Sequence, residues 1–520
     1  MNGLAGTGLL TRHFARRDRV IATVWVLVLA VLAFASAAAT PGLYATEADR
    51  VRAATAINES GAIVALYGPV LDVTSEGELA MTKMTVLYAV FAAILFVVLV
   101  RRHTRVEEEN GQTELVGGTA VGRDAPLAAA VTESVVVGLV LGLLVAVGNV
   151  AGGLPVAGSV AFGAAWFGTA VVAAGIAAVC AQLSASARTC AAYAAGTIAV
   201  LFLLRAVGDT TSAGWLSWLS PLGWNTQLRA YGDTRWWLLL AYVALAGVLV
   251  GVAAVLRSRR DLGSGLVASR PGPAEGSPRL RDVFSLAVVV HGWQLALWTL
   301  AVAVTGFLFG FIAPGIEDLL DSATAQQALD ALGGEMIAAI MFVVAVVITC
   351  FGIVVVAHAG ADEGSGRAEA VMATATSRAQ WFGAVMAVAL GGTAWLLVVS
   401  GAGLWIGYLG ADGPDPSEVL VAALAWIPAA WVVVGLAALT FSWRSHWTVL
   451  AWAWPAFFLV VTLLGDLFTW PDWVLDLSPY SWVPHVPAEP WSWPSFLGLT
   501  SVALALCDAA WLRFRHRDIG

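Results

Sequence analysis

The sequence predicts an all-α polytopic membrane protein with twelve transmembrane helices in two six-helix repeats. Three observations carry this: the apolar composition, a charged motif present twice, and a one-sided distribution of arginine. Of 520 residues, 59% are hydrophobic and only 12% are charged; the charged share is about half that of a typical soluble protein. So many long apolar runs cannot all be enclosed in globular cores, which excludes a soluble multidomain enzyme. Runs of about 20 apolar residues are what a helix needs to cross a hydrocarbon core of roughly 30 Å. The short alternating segments of a membrane β-barrel are not seen.

The duplication is explicit. Residues 107–123 read EEENGQTELVGGTAVGR and residues 362–378 read DEGSGRAEAVMATATSR. Without a gap they share Glu108/Glu363, Gly111/Gly366, Glu114/Glu369, Val116/Val371, Thr119/Thr374, Ala120/Ala375 and Arg123/Arg378, all at an offset of 255, near half the chain. Leu219-Ser220-Pro221 with Leu477-Ser478-Pro479, and Arg260-Asp261-Leu262-Gly263 with Arg517-Asp518-Ile519-Gly520, nearly repeat that spacing. The organisation read from this is a first half over 1–256, a linker over 257–282 and a second half over 283–520.

Apolar runs between charges and turn residues place the spans at 20–40, 84–100, 126–149, 157–183, 190–207 and 236–256. The second half has them at 286–312, 336–358, 381–408, 418–441, 447–467 and 495–512. The first run ends in AFASAAATPG, which resembles a signal cleavage site, but it is longer than a signal h-region and reads as an uncleaved span. Before it, residues 4–17 form a candidate basic amphipathic helix at the membrane surface.

Arginine sets the orientation. With the N-terminus inside a bacterial cytoplasmic membrane, 21 arginines fall in inner segments and only Arg50, Arg52, Lys83, Arg229 and Arg235 in outer loops. Both termini are then cytoplasmic. The outer loops 41–83 and 313–335 look partly amphipathic. Segments 208–235 and 468–494 are rich in Trp and Pro, as suits the membrane interface. The linker 257–282 has the Gly, Ser and Pro content of a flexible connection. The four cysteines lie in or beside spans and form neither a disulfide framework nor a metal motif.

Read as one helix, Glu108, Gly111, Glu114 and Leu115 occupy an arc of roughly 120°, and Glu363, Gly366, Glu369 and Ala370 the same arc. Glycine would admit a close backbone and the glutamates would offer carboxylates to Arg or backbone donors. A solvated charged loop is the plain alternative, and the retained spacing argues against it. The expectation is a docking helix presented twice.

With six spans per half, the E-x-x-G-x-x-E-x-x-x-x-T-A-x-x-R loop after the second span and a re-entrant-like loop before the sixth, the whole chain resembles an ABC-2 type (type V exporter-like) permease. It is similar to the fused, two-half permeases of actinobacterial polyketide and ionophore exporters of the tetronasin-resistance type. The resemblance implies an exporter of hydrophobic compounds such as antibiotics or drugs, working by alternating access. It makes 107–123 and 362–378 coupling helices, with Glu107, Glu108, Gly111, Glu114, Thr119, Arg123, Asp362, Glu363, Gly366, Glu369, Thr374 and Arg378 as contact residues. Asp362 stands where Glu107 does, and Gly364 where Glu109 does, so the two sites need not be equivalent.

A Walker A loop needs a lysine among glycines, and the one lysine sits in MTKMT. The chain is therefore read as a transport subunit without catalytic residues, metal or cofactor of its own. The expected partners are two copies of a separate ATPase that binds ATP and Mg, a hydrophobic substrate and membrane lipid, with no nucleic acid. Phe91, Phe96, Phe202, Arg205, Phe342, Phe351, Trp454, Phe457 and Phe458 lie on spans two, five, eight and eleven, the family's expected cavity lining. Lipid-facing or packing roles are the alternative for each. Glu133, Arg205 and Asp508 stand out as charges within spans, which are costly; snorkelling or ion pairing explains them as well as transport does. His291 and His358 read as interfacial. A proton-coupled transporter is the competing function, though no acid is clearly at a midplane. A lipid-modifying enzyme is a third reading, but Asp472, Asp476, His485 and Glu489 form no motif.

Overall fold

Eleven of the described helices are long and apolar enough to cross a membrane, and no strand occurs among the described residues. The structure is a computed structural model and describes residues 3–267, 275–278, 280–318, 323–409, 415–464, 471–486 and 489–517. Its all-helical, multi-pass character is as the sequence predicts. The first half supplies Thr7–Leu43, Leu87–Glu109, Ala125–Ala151, Val156–Leu183, Ala187–Thr210 and Trp237–Ser258. The second supplies Val283–Phe311, Ile340–Gly364, Arg378–Tyr408, Ser417–Trp443 and Trp493–His516.

The span expected over 447–467 is built differently. A 3-10 segment, Ser445–Trp452, precedes a short helix, Ala453–Leu464, and residues 465–467 lie outside those described. Pro455 sits in the first turn of that short helix, where its missing N–H has no partner to lose. Twelve full spans are thus not counted among the described residues.

The expected surface helix over 4–17 is also different. Thr7–Leu43 is one continuous helix, because no glycine or proline lies between Gly8 in its first turn and Pro41. Gly6, at φ +85°, turns the chain just ahead of it.

The chain divides into two compact units, Met1–Gly272 and Pro273–Gly520. Each encloses its own core: Phe96, Trp166 and Tyr242 are fully buried in the first, and Phe351, Phe382 and Phe441 in the second. Helices cross closely where glycines meet. A Cβ on Gly163 would lie 2.2 Å from the Gly142 carbonyl oxygen, and one on Gly407 would lie 2.3 Å from that of Phe307. Apolar chains in lipid gain little by hiding from water, so such backbone contact supplies much of the cohesion.

The repeated Leu-Ser-Pro marks the same local device twice. Ser220 caps Pro221–Gln227 by accepting from the Leu222 N–H at 3.2 Å. Ser478 caps the short 3-10 turn Pro479–Trp482 by accepting from Tyr480 N–H at 3.3 Å. Proline in the first turn costs no hydrogen bond. Trp215, Trp473 and Trp482, from the same Trp-rich segments, are exposed.

Candidate functional site

The second span ends in a short π turn, Arg102–Val106, followed by the single turn Glu107–Glu109. Gly111 then adopts φ +70°, and a new short helix, Gln112–Gly117, begins. In the second half Ala323–Gly364 stays α-helical to its end, without a π turn, then Gly366 adopts φ +73° and Arg367–Met372 follows. The motif is therefore a helix, a left-handed glycine and a second helix, not one continuous helix. The common arc expected for Glu108, Gly111 and Glu114 does not exist. Neither glycine admits a neighbour: nothing lies within 4 Å of a Cβ built on either. Their function is positive φ, which side chains with a Cβ disfavour.

Each turn is strapped to the end of its half's last span. Glu108 accepts from Arg260 at 2.7 and 2.9 Å through both carboxylate oxygens, and from Arg105 at 2.9 Å. Arg257 stands 3.9 Å away. Arg123 donates to the carbonyls of Arg257 (3.1 Å) and Arg260 (2.9 Å). In the second half Glu363 pairs with Arg517, and Arg378 donates to the Arg517 carbonyl at 2.7 Å. Thr119 and Thr374 both donate to the carbonyl three residues back, Val116 and Val371, at 2.6 Å.

The two straps differ in chemistry. In the first, three arginines surround a carboxylate that is 2% exposed. In the second, the Arg517 guanidinium lies over the rings of Phe441 and Phe514, about 5 Å from each centroid. Gly360 occupies the position of Arg105, so that guanidinium is absent there.

The motif carboxylates thus fall into two sets. Glu107 (with Arg17 at 2.9 Å), Glu108 and Glu363 are turned inward and paired. Glu114 and Glu369, on the short second helices, are exposed, as is Leu115 at 78%. Asp362 pairs locally with Arg367 at 2.8 Å.

The chain is 35% identical to the "Multidrug efflux system permease protein Rv1217c" of Mycobacterium tuberculosis, across 100% of this chain and 96% of that protein. The chain belongs to the Rv1217c family of multidrug efflux permeases. The family model for the C-terminal domain of the Rv1217c permease matches residues 280–515. In this Rv1217c-family chain that match contains the whole second strap except Arg517, which follows two residues later.

The aromatic candidates fall in different surroundings. Phe96 and Phe351 are fully enclosed within their own halves, and Phe342 and Phe458 are buried. Phe202 and Trp454 are half-buried, whereas Phe91 and Phe457 are 42% and 44% exposed. Arg205 is fully buried over the Phe202 ring. It pairs with Asp209 at 3.2 Å and donates to the Val64 (3.1 Å) and Ala65 carbonyls, in the last turn of the short helix Gly61–Tyr67. Glu133 is buried. Asp508 is not: it lies exposed on the last helix. His291, buried, and His358, half-buried, face each other with ring centroids 5.4 Å apart.

Sequence reasoning missed the arginines that hold the straps. The near-repeat of Arg260-Asp261-Leu262-Gly263 at the C-terminus was the available signal, since the two arginines sit 257 residues apart and their glutamates 255. It also missed Asp18 and His103, whose burial no local pattern announces.

Proposed function

We propose that this chain is the membrane-spanning subunit of an ATP-driven exporter of hydrophobic compounds, drugs or antibiotics among them. The observation that carries the reading is the repeated strap. Each half holds out a short helix from a paired base, leaving Glu114 and Leu115, or Glu369 and Ala370, free for a partner. A carboxylate and a short helix on a braced turn suit transmission of force, because a push on the short helix reaches the last span through Glu108–Arg260 or Glu363–Arg517. The full-length likeness to a multidrug efflux permease supports the transport role.

In this reading the straps are coupling sites for two copies of a separate ABC ATPase, which binds ATP and Mg, and both termini face the cytoplasm. The chain itself catalyses nothing. Phe91 and Phe457 are the aromatic candidates whose surfaces are open to a hydrophobic cargo. The test is affinity purification from the native membrane in mild detergent, with subunit counting and ATPase assay of the eluate. An ATPase co-eluting at two copies per chain supports the reading. A chain that elutes alone without nucleotide hydrolysis sinks it in favour of ion-coupled transport.

A further inference from the structure

A second cluster, unrelated to the straps' exposed face, lies inside the first half. Asp18 from the first helix, His103 from the π turn and Glu133 from the third span are buried, with relative exposures of 0%, 0% and 2%. One ligand-type atom from each lies within 4.8 Å of the others. His103 Nε2 is 2.8 Å from Asp18 Oδ2 and 3.6 Å from Glu133 Oε2. A first-row metal bound at about 2.1 Å sets neighbouring ligands roughly 3.0–3.4 Å apart in tetrahedral or octahedral geometry, and the two separations from His103 Nε2 fall on either side of that range.

The surroundings orient His103 and Asp18. His103 Nδ1 faces Glu107 Oε1 at 3.2 Å, the carboxylate–histidine arrangement that fixes a ligating tautomer and points Nε2 at the metal. Phe14 stacks on the imidazole, centroids 3.9 Å apart. Arg17 holds Glu107 at 2.9 Å and Arg102 Nε reaches Asp18 Oδ1 at 3.2 Å. The decisive group is Glu133, whose two buried oxygens have no hydrogen-bond partner among the described residues. An imidazolium at His103 would hydrogen-bond Asp18 and Glu107 but leave Glu133, 3.6 Å from Nε2, without a hydrogen bond. A dication serves Asp18 and Glu133 together and leaves Nδ1–H for Glu107. Orphaned carboxylate oxygens in a buried site are costly, and π turns recur at functional sites.

We infer that Asp18, His103 and Glu133 form a binding site for one divalent transition-metal ion, of the Mn2+ or Zn2+ kind that accepts mixed imidazole and carboxylate ligands. The ion would pin the N-terminal helix to the second and third spans beside Glu107, one residue from the strap glutamate Glu108. Among the described residues the second half shows no such cluster: Val388 stands at the position of Glu133, at the offset of 255.

The test uses the full-length chain, purified in detergent with a histidine-free tag and stripped with chelator. Zn2+ and Mn2+ are titrated separately, with metal counted by mass spectrometry and the melting midpoint recorded. One tightly held ion per chain and a midpoint that rises with added metal are expected. His103→Gln and Glu133→Gln should hold none, while Asp362→Asn, in the other half, should hold one. Should those variants misfold, X-ray absorption on the wild-type complex decides, a shell of one nitrogen with oxygens being required. A stripped wild type that binds no stoichiometric ion and melts unchanged overturns the inference and makes the cluster a proton-held ion-pair network. Equal binding by His103→Gln overturns it too.

Discussion

Glu108 and Arg260, 152 residues apart in sequence, meet in a two-point ion pair of 2.7 and 2.9 Å buried from water. The same union recurs in the second half as Glu363 with Arg517. A duplicated sequence motif is thereby matched by a duplicated tertiary contact. Charge-assisted, two-point pairs of this kind fix geometry as well as add energy, so each motif turn is tied to the end of its half's last span.

The first prediction separates the two unions by burial. Glu108→Ala leaves Arg105 and Arg260 buried without their carboxylate and should cost about 3–5 kcal/mol. Glu363→Ala should cost less, about 1–2 kcal/mol, because it strands one guanidinium rather than two and that pair is less buried, at 13% and 9% exposure against 3% and 2%. Hydrogen exchange resolved by half would read both. Equal losses would refute the asymmetry of the straps.

The motif glycines give a second. Gly111 and Gly366 need positive φ but have open space around a Cβ. Alanine should therefore cost only the left-handed penalty, about 1–2 kcal/mol, and asparagine less, since it tolerates that region. Efflux and melting of Gly111→Ala, Gly111→Asn and Gly111→Val would rank them. A valine variant no worse than asparagine would show that the left-handed turn is not needed.

Much of this architecture was legible in the sequence, and the failures have physical causes. Span positions follow from apolar runs, since the bilayer makes hydrophobicity a direct constraint on helix length. The run at 447–467 misled because composition reports solubility in lipid, not regularity, and Pro455 resets the helix inside it. The duplicated motif is legible by repetition, but its shape is not, because helical periodicity cannot reveal that a glycine breaks the helix. Burial of Asp18 and His103 depends on tertiary neighbours from three helices, which no local pattern encodes. Asp508 differs the other way: as a charge inside an apolar run it stands out beside Glu133 and Arg205, yet the helix turns it outward.

Gly163 offers a third prediction, on packing. Its missing Cβ lets the third and fourth spans touch through the Gly142 carbonyl. Gly163→Val must force the helices apart, and overpacking of this kind costs typically 1–3 kcal/mol or more. Gly196, with nothing within 4 Å of its Cβ position, is the control and should accept valine with little change. Melting of the two variants in detergent is the measurement, and equal midpoints would count against close crossing.

Arg205 supplies a fourth. Its guanidinium joins Asp209 and the end of the helix Gly61–Tyr67. Arg205→Met alone strands the Asp209 carboxylate in a buried place and should cost several kcal/mol, about 3–5 by analogy with other broken buried pairs. Asp209→Asn added to it should recover part of the loss. A double variant as unstable as the single would mean that the carbonyl contacts, rather than the ion pair, hold that short helix.

The last prediction addresses the exposed carboxylates. Among the described residues Glu114 and Glu369 make no side-chain hydrogen bond or ion pair, and each stands on a short helix braced from below. Reversing both, Glu114→Arg with Glu369→Arg, should leave melting within about 0.5 kcal/mol of wild type, as for surface substitutions generally. Membrane insertion should be unchanged, while efflux falls to background. Single reversals should retain part of the activity if each helix meets its own copy of a partner. Drug accumulation in cells lacking the native exporter, beside quantified membrane levels, gives the readout. Normal efflux by the double variant would remove the docking role from both helices and leave the straps a purely structural device.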